Sequence, residues 1–561
     1  MNTRKNIITA VLCLFTMTTT TAKIKLPAII AQGMVLQRGH ELKIWGTADS
    51  GERVNVRFVT RTDDGKRCAR TIPKDTKGRS VKQTFCTSGS ATDGSWSISL
   101  PAMKPGGPYA MEVNDTVVTD ILIGDVWLCS GQSNMELTVN RVTDMFGKEI
   151  AEYENTAIRH FKTPYAYNFH SPQNDMAGGA WKSLTAENVM DFSALAYFFA
   201  KKMYAETGVP VGIINSSWGG TPVESWISED GLKGFPKYIN DKLQYEDDAL
   251  LKATATAERL AAARWNTAMY AGDPGRHASI PWSAEHIDDS RWATVSVPSP
   301  VNGSTGMAPS AGSHWLRRTF TLPEGSKGHE ATLRLGCIVD ADSVYINGTF
   351  VGSTAYQYPP RIYKVPAGLL HDGENSVTMR IVSNGTRPYL VPEKPYMIIC
   401  GGDTVNLAGQ WRYRQGAPMP PAPSSTCFFY KPVCLYNSMI SPLRHCTFSG
   451  VIWYQGESNV GRRNEYAALL KAMMADWRRT FGNDSLPFYI VELADFLHKS
   501  DTGGRQAWAE MRLQQAKAAA ETPRATLIMN SDLGEWNDIH PQDKKTLGLR
   551  VAEAAIKDLK Q

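Results

Sequence analysis

Beyond its first two dozen residues the chain has no apolar run of about 18 residues, so no membrane-spanning helix is expected. It has no C-x-x-C pair, and none of its 11 histidines pair at zinc-ligand spacing, which leaves a metal centre without a framework. It has no marked excess of one charge. Sixty Lys and Arg against 55 Asp and Glu give a net +5, and Arg4 and Lys5 of the leading segment supply two of those charges. Such near balance gives no reason to expect nucleic acid or a membrane surface as partner. Nor is there a G-x-S-x-G elbow at the most conspicuous serine, which disfavours the α/β-hydrolase fold. At 561 residues the chain exceeds a single core, and two to four domains are expected.

Arg4 and Lys5 precede the apolar stretch Ile7–Met17, and a threonine tract then ends at Ala22. This reads as a secretory signal over residues 1–22, which predicts an exported, soluble protein, periplasmic or secreted. Cys13 leaves with it, and export permits disulfides among the other cysteines. A bridge between Cys68 and Cys86 is expected. Cys129 reads as an inert core thiol, and no pairing can be assigned to Cys337, Cys400, Cys427, Cys434 and Cys446.

From residue 23 to 118 short alternations such as Leu42-Lys43-Ile44-Trp45 and Trp96-Ser97-Ile98-Ser99-Leu100 predict a small β-sandwich. The rhythm then changes. Val126–Ser130 and Val211–Asn215 read as buried strands, with a helix over 193–207 between them. Residues 238–271 read as a long polar helix, and 241–279 are expected to be a helical connector. Short strands with an Asn347-Gly348 hairpin signal fill 280–406, a second β-domain. From 407 to 561 the strands Val451–Tyr454, Phe488–Val491 and Ala525–Met529 alternate with helices. Five such strands predict a three-layer α/β/α domain with a parallel sheet, built from 119–240 and 407–561 and interrupted by the β insertion.

Ligands of open parallel sheets gather beyond the carboxyl ends of the strands. Here those ends carry Gly131-Gln132-Ser133-Asn134, Trp218-Gly219-Gly220-Thr221, Gln455-Gly456-Glu457-Ser458-Asn459 and Asp538-Ile539-His540-Pro541. On its own Ser133 is more simply a turn serine, Asp538-Ile539-His540 a capping loop, and Glu457 a buried carboxylate. Their joint position on one inferred sheet points to a nucleophile, an imidazole base, an acid, and glycine and amide donors for an oxyanion.

With these motifs the chain resembles the sialate O-acetylesterase family and related acetylxylan esterases of the SGNH hydrolase superfamily. Met34-Val35-Leu36-Gln37-Arg38 with Ile44-Trp45-Gly46 is similar to the N-terminal β-domain, and Gly124–Trp127 through Gly131–Met135 to the nucleophile block. Trp218–Pro222 with Glu224 and Trp226, Gly450–Asn459, and Asp538–Pro541 match the remaining blocks. The resemblance implies Ser133 as nucleophile, His540 as general base and then acid, and Asp538 as the orienting carboxylate, with Glu457 a competing acid. It implies an oxyanion hole of the Ser133 N–H, Gly219 or Gly220, and the Gln455 amide, with Asn459 as the alternative donor. The insertion resembles the sugar-binding-like sandwich of glycoside hydrolases, where Tyr356, Tyr358 and Tyr363 either pack or edge the cleft. The expected activity is removal of O-acetyl groups from a sialic acid or a xylo-oligosaccharide, through an acyl-enzyme and without metal or cofactor. The alternatives are a non-catalytic carbohydrate-binding protein on the same scaffold, and a lipase or thioesterase. Oligomeric state is not legible.

Overall fold

The computed structural model describes residues 24–60, 85–302, 304–385 and 387–560. The signal segment and the Cys68–Cys86 bridge fall outside the side chains described. The six cysteines Cys129, Cys337, Cys400, Cys427, Cys434 and Cys446 are free thiols.

The central sheet runs in the order Ala525–Ile528, Phe488–Val491, Gly450–Tyr454, Thr116–Gly131, Val211–Ser217, Asn155–Lys162, Trp181–Leu184. The first six strands are parallel and Trp181–Leu184 is antiparallel, so the sheet is mixed and longer than the five strands expected. The additions are the edge strand Trp181–Leu184 and Asn155–Lys162, whose alternating polar residues conceal a buried strand. Arg159 is buried there against Asp120 at 2.7 Å, and the His160 ring is stacked on Phe192 at 4.5 Å.

Helices cover both faces of this sheet. Trp127 packs its ring on Phe199 of helix Ala194–Thr207, 5.0 Å between centroids. Trp453 lies beside Ser130, three residues and therefore one face away from Trp127, and meets Trp477 of helix Tyr466–Phe481 at 5.6 Å. Helix Ala194–Thr207 starts at Ser193, whose Oγ accepts the Ala196 N–H, and stops at Gly208 in the left-handed region. Its expected apolar face of Leu195, Phe198, Phe199 and Met203 is buried. The long polar helix expected over 238–271 is two helices, Pro236–Leu243 and Asp248–Ala271.

No linker separates the N-terminal β-region from this domain. One 16-residue strand, Thr116–Gly131, begins in the N-terminal sheet beside Gly106–Val113 and ends as the middle of the central sheet. The boundary expected at 118/119 therefore falls inside a strand. The insertion ends later than expected as well. Gly409–Met419, placed with the hydrolase half on the sequence, lies between Ala293–Val297 and Ala311–Leu322 in a six-stranded sheet. That sheet and a four-stranded one share a separate core, in which Leu316, Val344 and Ile381 meet Leu333 and Ile398.

The chain extends the sheet to one side of Thr116–Gly131 with 155–162 and 211–217, and to the other with 450–454, 488–491 and 525–528. The reversal occurs between Thr116–Gly131 and Gly450–Tyr454, the place where open sheets of this kind open a crevice. Ser133 lies two residues past that strand's end.

Candidate active site

The serine turn is shaped by Gly131. Its φ is +136°, and a Cβ there would stand 2.0 Å from the Tyr454 carbonyl oxygen. Only glycine permits this approach of two parallel strands. Gln132 N–H then donates to Tyr454 O at 3.1 Å, and a single helical turn, Ser133–Glu136, follows. The Ser133 hydroxyl donates to Nε2 of His540 across 2.8 Å, joining positions 407 residues apart in sequence.

His540 precedes helix Lys544–Leu559, whose N-cap is Asp543. The ring is buried, and burial, aided by the Lys544 and Arg141 charges, pushes its pKa down to about 3. It therefore stands neutral at ordinary pH, as a proton acceptor must. Nδ1 has no hydrogen-bond partner. The nearest acid is Asp538, whose Oδ1 lies 4.0 Å from Nδ1 and accepts the His540 backbone N–H at 2.9 Å. Burial pushes the Asp538 carboxyl above its usual range, and the Lys394 ammonium opposes this. Catalytic hydrogen bonds are often long in unliganded sites and tighten around the transition state.

Glu457, the competing acid, is half-buried and engaged elsewhere. Its Oε1 accepts Nδ2 of Asn134 at 2.6 Å, while Oε2 has no partner. Burial raises this carboxyl too, against the Asn134 bond and the Lys544 charge. Asn134 also donates to Ile539 O at 2.9 Å and accepts from Lys544 Nζ at 2.8 Å. One amide thus ties the nucleophile turn to the Glu457 loop, the histidine loop and the last helix. Lys544 is buried, which lowers its pKa to about 8. Sequence reasoning missed both roles, although an amide directly after a candidate nucleophile was a usable signal.

The oxyanion donors need correction. Gln455 is fully buried, and its Nε2 faces Gln132 Oε1, Thr221 O and Asn459 Oδ1 at 3.2, 3.2 and 2.8 Å. Asn459 is equally buried, donates to Glu224 Oε2 at 2.9 Å and accepts the Val223 N–H at 3.0 Å. Both amides hold loops together behind the site and do not reach the cleft. Gly219 N–H is also taken, by Glu136 Oε2 at 2.6 Å, and Glu136 is paired with Lys162 at 3.2 Å. Among the described hydrogen bonds, the N–H groups of Ser133 and Gly220 have no acceptor. Gly220 has φ +79°, and a Cβ there would collide with Tyr430 Oη at 1.8 Å, which keeps that backbone bare toward the cleft.

The cleft measures about 670 Å³ and is lined by Ser133, Glu136, Arg141, Gly220, Glu457 and His540, among others. Tyr356 and Tyr358 of the insertion also line it, and the Tyr358 ring stands edge-on to His540 at 5.0 Å. Tyr363 does not: it is buried with its hydroxyl on Asp342 at 2.5 Å. Among the described residues no three His, Cys, Asp or Glu side chains gather as a metal site would require.

The insertion reaches the acid as well. Lys394 Nζ stands 2.7 Å from Glu535 Oε2 and 3.3 Å from Asp538 Oδ2. Beside it Trp536 Nε1 donates to Glu393 Oε2 and Asn537 Nδ2 to Pro392 O, each at 2.8 Å. Lys394 favours the ionised form of Asp538, so removing the cation lets that pKa rise. In Lys394→Met the acid limb of kcat/KM is expected to move to higher pH, while Lys394→Arg stays near the parent. An acid limb unmoved in Lys394→Met would remove this lysine from the charge balance of the site.

Residues 123–265 and 422–557 match the model of a family described as carbohydrate esterase, sialic acid-specific acetylesterase. The gap between the two segments contains every strand of the insertion. A sialate O-acetylesterase of Mus musculus is 29% identical over 556 residues, covering 92% of this chain and 70% of that protein. One of Homo sapiens is 34% identical over 180 residues, covering 29% of this chain and 34% of its own. The crystal structure of a carbohydrate acetylesterase from Xanthomonas citri aligns over 95% of this chain and 74% of that one, with 23% identity and a TM-score of 0.53. At that identity the likeness is one of fold.

Proposed function

We propose that the chain, whose segments 123–265 and 422–557 match the model of sialic acid-specific carbohydrate acetylesterases, is an exported serine esterase that removes O-acetyl groups from acetylated carbohydrates. The observation that carries the reading is the 2.8 Å hydrogen bond from the Ser133 hydroxyl to His540 Nε2, at the switch point of the central sheet. We read the α/β/α domain as an SGNH hydrolase whose cleft is edged by the inserted β-domain. The basic and then apolar start of the chain, Arg4 to Met17, supports export.

In the reaction His540 takes the Ser133 proton while Oγ attacks the acetyl carbonyl. The resulting oxyanion is met by the Ser133 and Gly220 N–H groups. The Gly219 N–H joins them if Glu136 swings toward Lys162. Collapse of the tetrahedral species breaks the bond to the sugar oxygen, which leaves with the proton from His540. Water, deprotonated by the same imidazole, then attacks the acetyl-serine and releases acetate. Asp538 holds the ring and steadies the imidazolium after a shift of about 1 Å, the difference between its present distance and an ordinary hydrogen bond. The Tyr356 and Tyr358 rings offer a sugar apolar faces at the cleft edge.

Acetate release, measured side by side on O-acetylated sialic acid and acetylated xylo-oligosaccharides, tests the proposal. Turnover of at least one, exceeding that of esters with long acyl chains, is expected. Preference for long acyl chains with no release from either sugar would overturn it.

A further inference from the structure

Glu136 ends the single helical turn that Ser133 begins, and three residues along a helix return to the same side. It lines the cleft with the nucleophile, and its Oε2 accepts the Gly219 N–H at 2.6 Å. Gly219 is packed on the nucleophile: a Cβ there would stand 3.4 Å from Ser133 Cβ and 3.2 Å from Glu136 Oε2. An oxygen of the enzyme's own carboxylate thus sits on a backbone donor beside the reacting hydroxyl, about as close as an oxyanion would be held. Its Oε1 accepts from Lys162 Nζ at 3.2 Å, and both side chains are partly exposed.

The turn that carries Gly219 has other supports. Trp218 N–H donates to Gly131 O at 3.1 Å, Thr221 Oγ1 to Trp218 O at 2.7 Å, and Ser458 Oγ to Gly220 O at 2.7 Å. The Trp218 ring is stacked on Tyr165 at 4.6 Å and on Phe429 at 4.2 Å. Lys162, the last residue of strand Asn155–Lys162, donates to Tyr165 Oη at 2.9 Å, so a held cation stands next to the carboxylate. With Gln455 and Asn459 turned away, a bound carbonyl meets the N–H groups of Ser133 and Gly220 but finds that of Gly219 occupied. We infer that Glu136 gates the oxyanion hole: it caps the Gly219 N–H in the free enzyme, and the acyl carbonyl displaces it on to Lys162. Left in place, the carboxylate would repel the developing oxyanion. Once moved, its charge is answered by Lys162 and a third donor is released. Glu136 is thus a positioning residue, and the inference rests on the serine-esterase reading and deepens it.

The test follows hydrolysis of p-nitrophenyl acetate and its inhibition by methylboronic acid, whose negatively charged tetrahedral serine adduct occupies the oxyanion hole. Glu136→Gln keeps the shape of the side chain and a neutral acceptor, and Glu136→Ala removes both. Relative to the parent, kcat/KM should rise about 3-fold in Glu136→Gln and about 10-fold in Glu136→Ala, because a charged acceptor no longer competes for the N–H. The Ki of methylboronic acid should fall by similar factors. Lys162→Met should lower kcat/KM about 10-fold in the parent and change it less than about 2-fold in Glu136→Gln, because the cation acts through the carboxylate. A carboxylate that only secured the turn would give the opposite sign, with lower kcat/KM and weaker inhibition in both Glu136 variants, which overturns the inference. Unchanged values in both, or equal losses from Lys162→Met in the two backgrounds, overturn it too. Should Glu136→Ala fail to fold, Glu136→Gln decides, since its amide oxygen can keep the bond to Gly219. A parent protein that neither hydrolyses the ester nor binds the boronic acid overturns the esterase reading itself.

Discussion

Ser133→Ala is expected to lower turnover of an acetyl ester by about 10⁴-fold or more, because the residue supplies the atom that takes the acyl group and no neighbour can replace it. Some residual rate over water is expected, since the Ser133 and Gly220 N–H groups and the aromatic edge of the cleft remain. Folding should be untouched. The side chain is half-buried, and among the described residues its hydroxyl bonds to His540 alone. The loop geometry is set instead by Gly131, by Gln132, whose Oε1 faces the N–H groups of Gly456 and Ser458 at 3.4 and 3.3 Å, and by Asn134. Activity near the parent's, in a variant with unchanged thermal unfolding, would remove this serine from the mechanism.

The second large effect concerns the acid. Asp538→Asn is expected to cost about 10²-fold to 10⁴-fold in kcat, because it removes the charge that favours imidazolium over imidazole in a buried ring. The Asn carbonyl can still accept the His540 backbone N–H, so the loop should survive. Glu457→Gln is expected to cost less in kcat. Its Oε1 bond from Asn134 can be kept by the amide oxygen, and that carboxylate makes no bond to His540. The expected damage is a looser tie between the nucleophile turn and the Glu457 loop, read as reduced stability. The reverse order of effects would assign the orienting role to Glu457.

Strand ends and their chemistry were legible in the sequence, because strong β-formers ran straight into glycine and polar clusters at Ser133, Gly219 and Glu457. Strand Asn155–Lys162 was not. An arginine and a histidine interrupt its apolar pattern, and their partners Asp120 and Phe192 lie 39 and 32 residues away in sequence. The oxyanion amide misled for a different reason. Gln455 follows the strand Gly450–Tyr454 directly, and whether it faces cleft or core turns on where the strand stops and how the chain bends at Gly456. The structure turns it inward, on to Thr221 and Asn459. The strand Gly409–Met419 escaped because its partners, Ala293–Val297 and Ala311–Leu322, lie about a hundred residues earlier. Lys394 carried no local signal at all. It acquires meaning only when the insertion is set against the Asp538–His540 loop.

The most direct measurement is rapid quenching during turnover of an acetyl ester, followed by mass spectrometry of the peptide that contains Ser133. The account predicts one acetyl group on Ser133, accumulating further in an Asp538→Asn background if deacylation slows more than acylation. Steady release of acetate with no acyl group on Ser133 at any quench time, or with the adduct on another residue, would contradict it.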